Sequence, residues 1–77
     1  MRKSNYLVIT FSETTMALYM EKKCKEDGMG GRLIPLPGEI DAGCGLAWAT
    51  GCKERGIWQK YLADQQIEYE EMVEVDF

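Results

Sequence analysis

The sequence predicts an α+β fold with one sheet and two helices, on three observations. Runs rich in β-branched and aromatic residues stand at both ends of the chain. Two segments, residues 16–24 and 57–62, space their apolar side chains at a helical period. Between them, residues 28–45 are rich in glycine and proline.

Residues 3–11 read as the first strand, centred on Tyr6-Leu7-Val8-Ile9-Thr10-Phe11. It is apolar on both faces, which suggests a central position. Alternation sets Leu7, Ile9 and Phe11 on one face and Tyr6, Val8 and Thr10 on the other. Ser12 suits a helix N-cap, with Glu13 favourably placed in the first turn. The first helix then runs to about Asp27. Met16, Met20, Lys23 and Cys24 form its stripe, widened by Ala17 and Tyr19. Gly28 is the stop, and Gly30-Gly31 completes the turn.

Arg32-Leu33-Ile34 is a short second strand ended by Pro35 and Pro37, which cannot donate to a ladder. A loop over residues 38–43 leads to a third strand over residues 44–50. A second helix fits residues 52–65, with Thr50 as its cap. Ile57, Trp58, Tyr61 and Leu62 are its apolar stripe, and Gly56 weakens its first turn. The last strand is read over residues 67–77. There Ile67, Tyr69, Val73, Val75 and Phe77 alternate with Glu68, Glu70, Glu74 and Asp76. Glu71 is the one misfit, a carboxylate on the apolar face.

Strand, helix, strand, strand, helix, strand is the split βαβ, ferredoxin-like order. Its four strands make an antiparallel sheet. Right-handed crossovers put both helices on one face. Leu7, Ile9 and Phe11 then pack beneath the helices, while Tyr6 and Val8 look outward near Trp48 or its neighbours. An open, partly apolar face invites a partner or a second copy, so a homodimer through that face is expected.

The 77 residues suit one domain. With 45% hydrophobic and 29% charged residues, the chain is neither disordered nor low-complexity. A net charge of −4 disfavours nucleic acid, which selects basic patches. Glu68, Glu70, Glu71, Glu74 and Asp76 read as a solvated strand face. A cation site is the other reading, but alternation lines these carboxylates in a row rather than a cage. Ser12 and Glu13 interrupt the first apolar run before a signal core or a membrane span could form. The expected location is cytoplasmic, where thiols stay reduced.

There are three cysteines, Cys24, Cys44 and Cys52, and no histidine. A Cys/His dyad or a Ser/His/Asp triad therefore cannot be built from this chain. No Cys-x-x-Cys spacing supports a zinc site, no cofactor is expected, and an odd number excludes complete internal pairing. Trp58 and Tyr61 read as core, as do Met16 and Met20, and Cys24 reads as core or flank. Cys52 reads as a helix-start residue or a resolving thiol. If residues 44–50 are extended they span ~20 Å. That exceeds the ~4.4–6.8 Å between Cα atoms that a 44–52 disulfide needs.

The stretch with most chemistry is Gly31-Arg32-Leu33-Ile34-Pro35-Leu36-Pro37, continued by Gly43-Cys44-Gly45-Leu46-Ala47. Pro35 and Pro37 stiffen it. Gly43 and Gly45 leave the backbone beside the Cys44 thiol open to close approach. Flanking amides could hold a thiolate or an anion. With no histidine as base, activation falls to amides, to Arg32 or to a partner. The plainer readings are a small buried cysteine at a tight junction and a solvated Arg32.

On these residues, with the Tyr6–Phe11 strand leading to Ser12 and with Ala17 and Glu21 on the first helix, the chain resembles the small selenium/sulfur carrier-like proteins. The resemblance covers about residues 5–75. It implies a cysteine that carries sulfur or selenium as a persulfide or selenopersulfide, which by motif position is Cys44. Donor and acceptor proteins are the implied partners. The family often has a basic residue after the second proline, where this chain has Gly38. A carrier of this kind is not a stand-alone catalyst. The competing reading is a non-catalytic module that binds a protein or small ligand through the open face or rim loop.

Overall fold

The computed structural model describes residues 5–36, 44–51 and 54–76. In chain order these form β1 (Asn5–Thr10), α1 (Thr14–Asp27), β2 (Arg32–Pro35), β3 (Leu46–Thr50), α2 (Arg55–Asp64) and β4 (Met72–Asp76). The strands make one sheet in the order β2-β3-β1-β4, with every neighbouring pair antiparallel. This is the ferredoxin-like arrangement, with β1 and β3 in the middle.

Register sorts the side chains. Ile9 pairs with Trp48 and with Met72, and Leu7 pairs with Thr50 and Glu74, so these share a face. Leu7, Ile9, Phe11 and Trp48 join Ala17, Met20 and Cys24 of α1 and Trp58 and Leu62 of α2 in the larger core. Trp58 also meets Tyr61 edge to face at 6.0 Å, the geometry that aromatic quadrupoles favour. On the other face Val8, Ala47 and Val75 form a second cluster, joined by Tyr6, Ile34, Leu36 and Val73. Tyr6 and Val8 point away from the helices as expected. Trp48 does not join them. It lies one position out of phase with Ala47 and Ala49, so the pleat turns its indole under the helices.

Element ends depart from the sequence reading in four places. Glu13, not Ser12, is the N-cap of α1, and its side chain makes no capping bond. The third strand begins at Leu46 rather than at Cys44, because Gly45 sits at φ 86° and breaks the extended backbone. Helix α2 begins at Arg55 after Glu54, so Thr50 closes β3 instead of capping a helix, and Cys52 lies outside the described residues. The last strand begins at Met72, not at Ile67. Ile67 drops into the core, and Glu71 precedes the ladder, so its carboxylate need not occupy an apolar position. Lys3 and Phe77, read as the ends of the first and last strands, also lie outside the described residues.

Thr10 fixes that late start. Its N–H donates to the Glu71 carbonyl at 2.8 Å, and its own carbonyl accepts from the Glu70 N–H at 2.7 Å. Its hydroxyl accepts from the Glu71 N–H at 3.0 Å. The Pro35 outcome is similar: proline stands inside β2 rather than after it. Leu36 N–H donates to the Gly45 carbonyl at 2.9 Å. Hydrogen-bonded pairs alternate in an antiparallel ladder, so Pro35 occupies the position that faces away from β3. There its missing donor costs nothing, and it blunts a free edge.

Candidate functional site

Cys44 stands at the turn into β3. Its N–H donates to the Phe11 carbonyl at 3.0 Å, which ties it to the exit of β1. The Leu36–Gly45 bond closes the other side, so the chain leaves β2 and returns to β3 beside the cysteine. Cys44 is half-buried and packs against the helix-side core. Its thiol has a weak, long contact of 3.8 Å with the Leu46 carbonyl. Gly45 holds a left-handed φ of 86°, and a Cβ added there would meet no atom within 4 Å. Among the described residues nothing crowds the backbone at Gly45.

Phe11, the residue that anchors Cys44, is three positions before the first residue of α1. The first α1 amides are drawn to Glu13 only from Met16 onward, and no side chain caps the helix. The opening amides of α1 are thus left for solvent or for an anion.

The sequence-predicted residues divide. Pro35 pairs with Leu46, two residues after Cys44, and belongs to the same end of the sheet. Arg32 pairs with Ala49, five residues from Cys44 along an extended strand, on the order of 16 Å away. Its position on the ladder is in phase with Ala47 and Ala49, on the face opposite the helix-side core that Cys44 joins. The structure does not bring Arg32 and Cys44 together. Gly43 and Pro37 lie outside the described residues.

Cys24 is a different thiol. It is fully buried in the core. Burial, and then the Asp27 carboxylate, push its pKa from 9.0 up to about 11, with Tyr61 pulling weakly the other way. Tyr61 itself donates to Asp27 at 2.7 Å. Burial first, and that bond second, hold the phenol well above its usual value. The sequence marks Tyr61 as core and Cys24 as core or flank, but nothing in it joins both to the Asp27 carboxylate. The signal in the sequence is that each stands on the apolar stripe of its helix.

A second feature went unread. On the helix-free face a trench of about 630 Å³ is lined by Tyr6, Gly31, Arg32, Ile34, Ala49 and Gly51. Its signal was the alternation of Ala47 and Ala49 around Trp48. Among the described residues, no group of three or more His, Cys, Asp or Glu side chains is placed to hold a metal ion. Of the acidic residues read as a single strand face, Glu68, Glu70 and Glu71 lie outside β4. No described helix is long and apolar enough to cross a membrane.

Comparison with curated proteins and with solved structures returned no significant match. Comparison with family models did: the model described as "Putative Se/S carrier protein-like" matches residues 6–74, from β1 into β4 and through Cys44. The chain belongs to that family.

Proposed function

We propose that the protein is a carrier of sulfane sulfur or selenium and that Cys44 is the carrying thiol. The observation that supports this reading is a half-buried cysteine at a sheet rim, anchored by its own backbone, with no described residue crowding Gly45. The Cys44 thiolate attacks the terminal sulfur of a donor protein's persulfide. A new S–S bond forms on Cys44, the donor's S–S bond breaks, and the donor thiolate leaves with the electron pair. An acceptor thiolate repeats the step on Cys44 and restores it. The same exchange with selenium gives the selenopersulfide. No oxidant is consumed and no histidine is required. Donor and acceptor proteins bring their own machinery, and the chain is not a stand-alone enzyme. The chemistry belongs in a reducing compartment, the cytosol.

Mass spectrometry after incubation with a persulfide donor tests the proposal. The expected result is a gain of one sulfur atom on Cys44, absent in Cys44→Ser. A donor that leaves every cysteine unmodified overturns it.

A second reading, a small-ligand-binding module, is favoured by the trench on the helix-free face. A homodimer through that face is its competitor for the same surface.

A further inference from the structure

On the helix-free face β3 offers only the methyl groups of Ala47 and Ala49, between larger side chains of β1 and β2. That difference in height makes the trench. Its volume of about 630 Å³ falls within the ~300–1,000 Å³ of small-molecule sites. Tyr6 and Ile34 are its apolar walls, and a Cβ added at Gly51 would meet no atom within 4 Å, so no described residue crowds that end.

The charge pattern narrows the occupant. Arg32 is exposed at the trench and forms no ion pair with any described residue. Among the strand residues whose side chains are described, register places no Asp or Glu on this face. β4 turns Val73 and Val75 toward it, and Glu74 goes to the helix side, where it pairs with Arg55. A chain of net charge −4 therefore keeps beside a partly apolar concavity a cation that no described residue pairs. A second copy docked face to face has no strand carboxylate there to offer it. A ligand that brings its own negative charge satisfies both halves of the site.

We infer that this trench binds a small organic anion. Its flat apolar body lies on Ala49 between Tyr6 and Ile34. Its acid group pairs with the Arg32 guanidinium, whose planar fork suits a carboxylate or a similar oxyanion. The site is at the far end of the β2–β3 ladder from Cys44 and is independent of the carrier reading.

The test uses two fluorescent probes of similar apolar shape, anilinonaphthalene sulfonate and the uncharged phenylnaphthylamine. Saturable one-to-one binding of the sulfonate is expected, with an unchanged near-ultraviolet spectrum to show that the fold is intact. Arg32→Gln should weaken the sulfonate about tenfold, as for loss of a charge-assisted bond, and leave the neutral probe unchanged. Ile34→Glu should abolish binding of both. Cys44→Ser should bind as the native chain does, and Arg32→Gln should still load sulfur, so the two proposals fail separately. Absence of saturable binding, or equal sulfonate affinity in Arg32→Gln, overturns the inference. So does a concentration-dependent dimer in sedimentation that excludes the probe, which would give the face to a second copy.

Discussion

The Tyr61 hydroxyl donates a 2.7 Å hydrogen bond to the carboxylate of Asp27, 34 positions away in the chain. It joins α2 to the last residue of α1, near the buried Cys24, whose thiol is influenced by both groups. Two helices from opposite halves of the chain are thereby held in one arrangement. Replacing Tyr61 by Phe should lower stability by about 0.5–1 kcal/mol, because the bond is exposed and water replaces the lost donor at Asp27. Thermal or urea denaturation measures it.

The same cluster sets an alkaline limit. The fold raises the pKa of Cys24, from 9.0 to about 11, and raises that of Tyr61. Both groups are neutral when protonated, so the fold favours the protonated forms. Their contribution is fully present below the unfolded-state values. It is lost as pH rises through about 9 and toward the folded-state values. Stability measured against pH should therefore fall above about 9. The fall should be shallower in Cys24→Ala. An equally steep decline in that variant would place the cause elsewhere.

The two thiols should differ sharply toward alkylating agents. With a pKa of about 11, Cys24 is only ~0.1% thiolate at pH 8, and it is fully buried besides. In a Cys52→Ser background, Cys44 should react at least tenfold or so faster than Cys24 under native conditions. Denaturant should expose Cys24 as well. Equal native rates would contradict the burial difference.

Two glycines with left-handed backbones should respond differently to alanine. At Gly31, φ is 122°, and a Cβ would sit 2.5 Å from the Trp48 indole nitrogen and 2.6 Å from the Ala49 carbonyl. Gly31→Ala should cost about 2 kcal/mol or more, from strain and overpacking together. At Gly45 nothing stands within 4 Å, so Gly45→Ala should cost only the ~1–2 kcal/mol of the backbone conformation. Comparing urea midpoints decides the order.

Gln66 is the reverse case. It holds a φ of 58° just past the end of α2 without being glycine. Gln66→Gly should raise stability by about 0.5–1 kcal/mol, relief of left-handed strain outweighing the added freedom of the unfolded chain. Calorimetry would show the rise in Tm.

Much of this was legible from one-dimensional pattern. The alternation of Leu7, Ile9 and Phe11 against Tyr6 and Val8 assigned both faces of β1 correctly, because a strand's side-chain period is two wherever it pairs. Gly28 was read as the stop of α1 and takes the left-handed cap, with its N–H returning to the Cys24 carbonyl. Boundaries fared worse. Ile67, Tyr69 and Val73 look like one strand on paper, and Thr10 decides otherwise by taking the Glu70 and Glu71 amides for itself. The candidate site was half legible: Cys44 between its glycines could be named, whereas its distance from Arg32 could not.

Element order, the helix-side face of β1 and the place of Cys44 beside Gly45 at a turn followed from local chemistry: propensity, period and turn residues, all set by neighbours in the chain. Pairing partners decided the remainder. The indole of Trp48 went under the helices, Arg32 was separated from Cys44 by the length of a strand, and two alanines became the floor of a trench. Those outcomes depend on which residue stands across the ladder, and contacts between distant segments exist only once the sheet has closed.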